Sequence, residues 1–294
     1  MSKNKNLHKA RKAKDDEFYT RLTDIEKELA HYRSYFEGKS VLCNCDDPEA
    51  SNFWKYFELN FDFLGLTGLT ATHYDPDRPS YRLELCRCGG KLVKRRAALT
   101  QNGDFRSPEC LELLREADLV ITNPPFSLLR EYIDLLIESG VKFLIVGTKN
   151  AITYKNVFSY IQDGRLWLGV TAPPEFIRPD GSSRKFGNTC WLTNLEHMKR
   201  REKILCWREY DPAEYPRYDN YDAIEVSRVA DIPLGYDGVM GVPITFLDKY
   251  NPEQFEIMGL ANSARWIGYE CLTLIEGRKV YNRIMIRHKR RPTN

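Results

Sequence analysis

The tetrapeptide Asn123-Pro-Pro-Phe126 has residue types that suit one specific chemistry. Two successive prolines stiffen the chain and remove two backbone donors, so the nearby carbonyls and the Asn123 side-chain oxygen form a rigid group of acceptors. Such acceptors can hold the hydrogens of an amino group conjugated to an aromatic ring, drawing its nitrogen towards tetrahedral geometry and freeing its lone pair for attack. Phe126 would stack on that ring. Alternatively, the prolines merely end a strand and Phe126 belongs to the core.

Apolar runs alternate with helical patterns through the middle of the chain, which is typical of an α/β sheet. A buried strand at 118–122 ends directly before Asn123, and ligands of open α/β sheets bind beyond the carboxyl ends of the strands. The pattern predicts further strands at 40–45, 66–73, 142–147, 165–170 and 188–194, a hairpin of 81–85 with 92–96, and helices at 49–60, 108–116 and 128–138. Beyond about residue 195 the periodicity is lost, and only short strands are predicted, at 224–229, 244–247 and 280–286.

The residues around the tetrapeptide closely resemble one family, the EcoRI-type adenine-specific DNA methyltransferases. The resemblance extends from about residue 8 to the C-terminus, and the segments that carry it are Asp16-Glu-Phe-Tyr-Thr20, Val41-Leu-Cys-Asn-Cys-Asp-Asp-Pro48, Gly103-Asp-Phe-Arg-Ser107, Val120-Ile-Thr-Asn-Pro-Pro-Phe126, Cys190-Trp-Leu-Thr-Asn194, Tyr218-Asp-Asn-Tyr-Asp-Ala-Ile224 and Tyr236-Asp-Gly-Val-Met-Gly-Val-Pro243. It implies an α/β fold with a Rossmann-like sheet that uses S-adenosylmethionine, followed by a mostly β or irregular target-recognition region. The expected parts are a basic arm at 1–14, a catalytic domain at 15–195 and the target-recognition region at 196–294.

The resemblance also implies which residues bind the cofactor near its methionine end. They are Phe18, Tyr19 and Thr20 in the N-terminal motif, and Asp46, Asp47 and Pro48 in the loop after the first strand. A carboxylate in that loop would suit the cofactor's ammonium group. The loop departs from the wider methyltransferase pattern, because it has no glycine where F-x-G-x-G would be. In the alternative interpretation, Phe18 and Tyr19 form a hydrophobic staple on a helix that starts near Thr23.

Asp104 and Phe105 follow a turn at Gly103, where the resemblance implies a carboxylate for the cofactor's adenine amino group and an apolar residue packed on its ring. An acidic residue after the second strand often holds ribose hydroxyls, and Asp75 is available there. The alternatives are an ordinary Asn-Gly-Asp turn and a plain surface loop.

The resemblance assigns catalysis to Asn123, Pro124, Pro125 and Phe126. Methylation of a base in a duplex requires that the base be flipped out, and a flipped ring is typically sandwiched by aromatic side chains. Phe126 would supply one face and Phe186 the other, although Phe186 is equally compatible with a place in the core. A direct displacement at the sulfonium methyl needs no covalent intermediate, so none of the eight cysteines is required as a nucleophile.

Basic residues are concentrated at the two ends of the chain. The net charge is only +3, but residues 1–14 carry six basic side chains and residues 278–294 carry seven, and neither segment contains an acid. Such asymmetry predicts a polyanionic partner, and the resemblance indicates double-stranded DNA. The proposed phosphate contacts are Lys9, Arg11, Lys12, Lys14, Arg287, Lys289 and Arg290, the alternative being a solvated, mobile tail.

Several classes are disfavoured by composition. The chain has no apolar run long enough for a membrane span and no secretory signal, which predicts a cytoplasmic protein without a membrane partner. The cysteines are then expected to be reduced. Cys43 and Cys45, with Cys86 and Cys88, form C-x-C pairs, whose one-residue spacer suits structural zinc poorly, so no metal is predicted.

The sequence thus predicts an N6-adenine methyltransferase that uses S-adenosyl-L-methionine and modifies a short duplex site such as GAATTC. It would act as a monomer, alone or in a restriction-modification system whose endonuclease is not physically associated. Two alternatives remain: an enzyme that methylates an amino group of RNA or protein, and a DNA-binding module whose active site has decayed. The intact Asn123-Pro-Pro-Phe126 disfavours the second.

Overall fold

A computed structural model describes residues 19–45, 47–178, 180–261 and 272–289 of the 294-residue chain. The chain divides into two compact units. Unit 1 comprises residues 1–157 and 168–195, and unit 2 comprises residues 158–167 and 196–294. Residues 158–167, which the sequence analysis included in the catalytic domain, therefore group with unit 2.

The first eleven strands in chain order are β1 (Tyr19–Thr20), β2 (Ser40–Cys43), β3 (Gly68–Thr72), β4 (Tyr81–Cys88), β5 (Lys91–Ala98), β6 (Leu119–Thr122), β7 (Lys142–Thr148), β8 (Trp167–Leu168), β9 (Glu175–Ile177), β10 (Ser183–Lys185) and β11 (Thr189–Thr193). The helices are α1 (Leu22–Leu29), α2 (Asn52–Leu59), α3 (Pro108–Glu116), α4 (Leu129–Ser139) and α5 (Lys155–Gln162). Every strand predicted in this part of the chain is found, although the predicted strand at 165–170 shrinks to the two residues of β8.

A mixed sheet of eight strands forms the centre of unit 1, in the order β5-β4-β3-β2-β6-β7-β11-β8. Strands β3, β2, β6 and β7 are parallel neighbours, whereas β4, β5 and β11 pair antiparallel. A second, antiparallel sheet has the order β1-β9-β10. The prediction of a mixed α/β fold is confirmed, and the carboxyl ends of four adjacent parallel strands lie along one edge of the large sheet.

Local signals in the sequence set the ends of the helices. The Ser51 hydroxyl caps α2 by accepting hydrogen bonds from the backbone N–H groups of Phe53 and Trp54 at 3.1 and 3.5 Å. The Ser107 hydroxyl caps α3 in the same way, and Pro108 occupies the first turn, where a missing N–H costs nothing. Helix α4 ends at Gly140, whose φ of 72° lies in the left-handed region.

The main core of unit 1 joins the helices to the sheet through large aromatic side chains. Phe53 packs edge-on against Trp191 of β11, with ring centroids 6.1 Å apart, and Phe36 packs against Phe57 at 5.6 Å. All four rings are buried. Cys43 belongs to the same core, which accounts for its burial without a metal role.

Glu28 is a buried carboxylate at the centre of this packing. It accepts hydrogen bonds from the Tyr32 hydroxyl at 2.9 Å, from the backbone N–H groups of Val170 and Thr171 at 2.8 and 2.6 Å, and from the Thr171 hydroxyl at 2.6 Å. Gly169 is required beside it, because a Cβ there would collide with the Glu28 carboxylate. Glu28 thus fixes the chain just before β9.

Unit 2 contains a four-stranded sheet in the order β12-β13-β17-β14 and the hairpin β15-β16. Its strands are β12 (Ala223–Glu225), β13 (Val239–Val242), β14 (Phe255–Ala261), β15 (Leu274–Ile275), β16 (Arg278–Lys279) and β17 (Arg283–His288). The predicted strand at 244–247 is wrong, because Ile244–Lys249 forms a 3-10 helix. In the described ranges no helix is both long enough and apolar enough to cross a membrane.

Candidate functional site

Loops leaving β2, β3, β6 and β7 meet at one edge of the large sheet, which we call the carboxyl edge. It comprises the residues immediately after Cys43, Thr72, Thr122 and Thr148. Most of the residues predicted to form the site follow these strands directly. The parallel pairing therefore brings together side chains that are up to about 80 residues apart in the sequence.

Asn123 and Pro124 are buried where β6 ends, and Pro125 and Phe126 are half-buried. All four residues of β6 are buried, so the backbone that leads to Asn123 is held firmly in the sheet. The Pro125 carbonyl accepts a hydrogen bond from the N–H of Leu128 at 2.9 Å, which starts the turn into α4. The tetrapeptide is thus a rigid connection between a central strand and a helix.

Three phenylalanine rings form a cluster next to this connection. The Phe126 centroid is 6.2 Å from those of both Phe176 and Phe186, and the latter two are 5.5 Å apart. Phe186, predicted as the partner of Phe126, is indeed its neighbour in space. The two rings meet at 74°, however, and cannot both lie flat against one planar base unless one of them turns. Phe176, which is fully buried, was missed by the sequence analysis.

The N-terminal motif is partly visible. Phe18 lies outside the described residues, whereas Tyr19 and Thr20 form β1 and pair with Ile177 and Phe176 of β9. The Asn52 side chain donates to the Thr20 carbonyl at 2.8 Å, which ties β1 to the start of α2. A helix does begin at Leu22, close to the start required by the staple interpretation.

The loop after β2, which lacks the glycines of the wider methyltransferase pattern, is held by hydrogen bonds to Asp47. The Asp47 carboxylate accepts hydrogen bonds from the Glu49 N–H at 3.0 Å and the Tyr81 hydroxyl at 3.2 Å, and its carbonyl accepts from the N–H groups of Ala50 and Ser51. Pro48 lies within this turn and is buried, and Asp46 is outside the described residues. The loop is therefore ordered by side-chain hydrogen bonds before it enters α2.

Asp104 and Phe105 lie beside the loop that follows β3. Gly103 has a φ of 79°, and a Cβ there would strike the His73 carbonyl, so the close approach needs glycine. The Asp104 carboxylate accepts from the Arg106 guanidinium at 2.9 and 2.6 Å, which raises the pKa of Arg106. Phe105 is buried and its ring meets that of Tyr132 edge-on at 4.9 Å.

Asp75 is held by its own loop. Its carboxylate accepts from the Arg78 guanidinium at 2.8 Å and from the Asp77 N–H at 3.0 Å, and the hydrogen bond from Arg78 lowers the pKa of Asp75. The Asp75 N–H donates to the Asn102 carbonyl at 2.9 Å, which places this loop against the one that carries Asp104. A ribose contact would compete with Arg78 for the carboxylate.

Two buried polar residues at the carboxyl edge were missed. The Tyr132 hydroxyl donates to the side-chain oxygen of Asn44, and the Asn44 Nδ2 has no hydrogen-bond partner among the described residues. Burial raises the pKa of Tyr132 well above its usual value, so its hydroxyl remains a donor. A signal existed in Asn44, a polar residue immediately after an apolar strand, but Tyr132 on the apolar face of α4 resembles an ordinary core residue.

The predicted phosphate contacts are only partly described. Lys9, Arg11, Lys12, Lys14 and Arg290 lie outside the described residues. In unit 2, Arg287 is exposed but pairs with Glu256 at 2.8 Å, and Lys289 is exposed just after β17. Arg283 is committed to the buried carboxylate of Glu225 at 2.7 Å, so its charge is internally neutralised.

The described residues contain no group of three or more His, Cys, Asp or Glu side chains that could hold a metal ion. Cys86 and Cys88 lie on β4, with their sulfur atoms 4.0 Å apart.

Comparison with known proteins yields one family and several close relatives. The family described as "Adenine-specific methyltransferase EcoRI" matches residues 6–291. The Type II methyltransferase M.EcoRI of Escherichia coli is 44% identical to the chain, over 98% of this chain and 97% of its own length. The Type II methyltransferases M.MpnI of Mycoplasma pneumoniae and M.MgeORF184P of Mycoplasma genitalium are 40% and 36% identical, each over 87% of this chain and 86% of its own length. No solved structure shows significant similarity to the chain.

Proposed function

The chain belongs to the family of EcoRI-type adenine-specific methyltransferases, and from that premise we propose how its residues methylate DNA. The reaction is transfer of a methyl group to the amino nitrogen N6 of an adenine. The observation that carries the proposal is the position of Asn123-Pro-Pro-Phe126, which follows the central parallel strand β6 and leads into α4. We propose that the target is an adenine flipped out of duplex DNA within a short site, such as GAATTC.

S-adenosylmethionine is the proposed methyl donor, and its sulfonium supplies an activated methyl group when bound. The carboxyl edge fits such a molecule in two respects. Asn44 Nδ2 is a buried donor with no partner among the described residues, and the buried apolar ring of Phe105 is next in the chain to the half-buried Asp104. Phe18, Tyr19, Thr20, Asp46, Asp47 and Pro48 would hold the methionine end, Asp104 and Phe105 the adenine, and Asp75 the ribose. Together these groups support a Rossmann-like use of the sheet.

Asn123 is the proposed acceptor for the hydrogens of the target amino group. Its side-chain oxygen, with a neighbouring carbonyl, would hold both hydrogens and direct the nitrogen lone pair towards the methyl group. No enzyme nucleophile would be needed, because the amino nitrogen would attack the sulfonium methyl directly and the donor would leave as a neutral thioether. The protein contributes position and fixed dipoles, and burial of Asn123 strengthens its hydrogen bonds. The excess proton would pass from the methylated nitrogen to water after transfer.

Phe126 and Phe186 are the proposed sandwich for the flipped base. In the described structure the two rings contact each other edge to face, so they shield from water the apolar surface that a flipped base would cover. Entry of the base then requires that one ring turn away from the other. Substitution of 2-aminopurine for the target adenine would report flipping as a fluorescence increase, and Phe186→Ala should reduce both that increase and the rate of transfer.

We propose that residues 15–195 carry catalysis, that residues 196–294 recognise the target, and that the arm at 1–14 contacts phosphates with Arg287, Lys289 and Arg290. The protein would act in the cytoplasm as a monomer that modifies one strand at a time. Any cognate endonuclease would act separately, as in a restriction-modification system.

Transfer of tritiated methyl from S-adenosylmethionine to duplex DNA, followed by digestion to nucleosides, tests the proposed function. Label in N6-methyl-2′-deoxyadenosine from the DNA is the expected result. Label found only in RNA or protein would refute DNA as the substrate. Cofactor binding without any transfer would instead indicate a binding module.

A further inference from the structure

Unit 2 has a groove of about 380 Å³ that has no role in the chemistry described above. We call it the basic groove, and its lining includes Lys199, Lys203, Leu205, Trp207 and Lys249 together with the carboxylate of Glu202. All of its walls come from unit 2. Three lysines thus line the same groove as two large apolar side chains, one of them an indole.

The apolar side chains on one wall are turned outward by a fixed backbone. Residues 203–208 alternate between exposed and half-buried positions, so that Leu205 and Trp207 lie on the exposed face. The Gln254 side chain holds the other side of this segment by accepting from the Ile204 N–H and donating to the Ile204 carbonyl, both at 2.8 Å. Leu205 is 82% exposed and Trp207 64% exposed. One wall of the groove thus carries two large exposed apolar side chains, which suits a contact surface.

The charge of the groove favours a polyanion. Among the described residues, Lys203 and Lys249 have no ion pair, and the groove is lined by three lysines and one acidic residue, Glu202. Clustered ammonium groups repel one another, and a phosphate backbone would relieve that repulsion while releasing its own counterions. Lysine is depleted at the centres of protein interfaces, which argues against an apolar protein partner.

We propose that the basic groove is a contact site for duplex DNA. In it, Lys203 and Lys249 bind backbone phosphates, while Trp207 and Leu205 pack against sugars and base edges. The proposal rests on the proposed function, since that makes DNA the substrate, but it concerns residues of unit 2, none of which belongs to the carboxyl edge. It assigns to residues 199–249 of unit 2 a direct part in holding the substrate.

The charge part of the proposal is tested with the double variant Lys203→Ala/Lys249→Ala. Binding to a fluorescent duplex that the wild-type protein methylates is measured by anisotropy at several salt concentrations. The slope of log affinity against log salt should fall by about 2, because two phosphate contacts are lost, while S-adenosylmethionine binding is unchanged. Arg115→Ala/Lys142→Ala is the matched control, since both side chains are exposed in unit 1 near the opposite end of the parallel strands.

The apolar part is tested at Trp207. Trp207→Ala should weaken DNA binding by roughly tenfold at an unchanged salt slope, as expected for a lost stacking or packing contact, whereas Trp207→Phe should retain most of the affinity. Leu59→Ala removes an equally exposed apolar side chain of α2 and should have no effect.

Three results would overturn parts of this account, and they are distinguishable. An unchanged slope and affinity in both groove variants, with normal methylation by the wild type, would refute the groove alone. Altered sedimentation of Trp207→Ala with intact DNA affinity would assign the groove to a second copy of the chain and refute DNA as its occupant. Failure of the wild-type protein to methylate any DNA would refute the proposed function.

Discussion

The Tyr132 hydroxyl donates a hydrogen bond to the Asn44 side-chain oxygen at 2.5 Å, and both side chains are buried. The bond links α4 to the loop after β2, and the Tyr132 ring also packs edge-on against Phe105. Tyr132 therefore contacts residues from both proposed ends of the cofactor site. It lies in the first turn of α4, the helix that directly follows Asn123-Pro-Pro-Phe126.

Tyr132→Phe should weaken S-adenosylmethionine binding by roughly fivefold. Removing the hydroxyl leaves Asn44 free to rotate, and a lost buried hydrogen bond costs about 1 kcal/mol. Isothermal titration calorimetry of the cofactor measures the effect. If Tyr132 only packs the core, affinity will be unchanged while thermal stability falls.

Tyr32→Phe is the matched control for this variant. Tyr32 is equally buried, and its hydroxyl donates to Glu28 at 2.9 Å, in a different part of unit 1. Loss of the Tyr32 hydroxyl should lower the free energy of unfolding by a similar amount, about 1 kcal/mol, without changing the affinity for the cofactor. Equal losses of affinity in both variants would show a general effect of destabilisation and contradict a specific role for Tyr132.

Asn123→Ala should reduce methyl transfer by at least about 100-fold, because the acceptor that orients the target amino group is removed from a preorganised site. Cofactor affinity should change by less than about twofold, since Asn123 is assigned to the base. Single-turnover transfer of tritiated methyl separates the chemical step from product release. The exposed Asn156, within α5, provides a control when it is replaced by Ala. Retention of transfer by Asn123→Ala would remove Asn123 from the mechanism.

The sequence predicted the parallel strands and their helices because their signals are local. Helix α3 begins at the predicted Pro108, where a serine cap precedes a proline, and β6 is a short, fully buried apolar run. The short apolar run at 244–247 fits a strand or a helical turn equally well by its pattern. Packing decides between them: Phe246, which is buried, lies against Phe255 with ring centroids 5.5 Å apart.

The contacts within the site could be predicted only in part. Phe176 reaches Phe126 because β9 pairs with β1, and such long-range pairing of two very short strands leaves no periodic signal in the sequence. Asp104 was expected to be available to a ligand, but its pairing with Arg106 depends on side-chain geometry within the turn. Residue types thus indicated the chemistry, whereas the partners of each side chain required the fold.

Glu28→Gln should destabilise the protein by about 2–4 kcal/mol. One carboxylate oxygen, which now accepts hydrogen bonds, would be replaced by an amide NH2 that points at other donors. Four donated hydrogen bonds converge on Glu28, three of them from Val170 and Thr171. Urea denaturation should show a lower midpoint with an unchanged slope. Glu138→Gln, at an exposed position near the end of α4, is the control. A midpoint equal to that of the wild type would mean that the buried carboxylate is not needed to hold the chain before β9.

Asp118 should make the stability of the sheet depend on acid pH. Its carboxylate accepts from the Ser40 N–H at 2.9 Å, the Ser40 hydroxyl at 3.0 Å and the Lys39 ammonium at 3.0 Å, and the backbone hydrogen bond from Ser40 chiefly lowers its pKa. In the unfolded chain the pKa returns to about 3.9, so the unfolded state takes up the proton first as the pH falls.

The contribution of Asp118 is therefore complete above about pH 4 and is lost as the pH falls through the lower pKa of the folded state. Asp118→Asn should unfold at lower urea than the wild type at pH 6, and the difference should shrink between about pH 4 and pH 2. Since the side chain is 39% exposed, solvent screening keeps the effect small, and several urea curves per pH are needed to resolve it. A difference that stays constant over this range would show that Asp118 stabilises β2 and β6 by hydrogen bonds that do not depend on its charge.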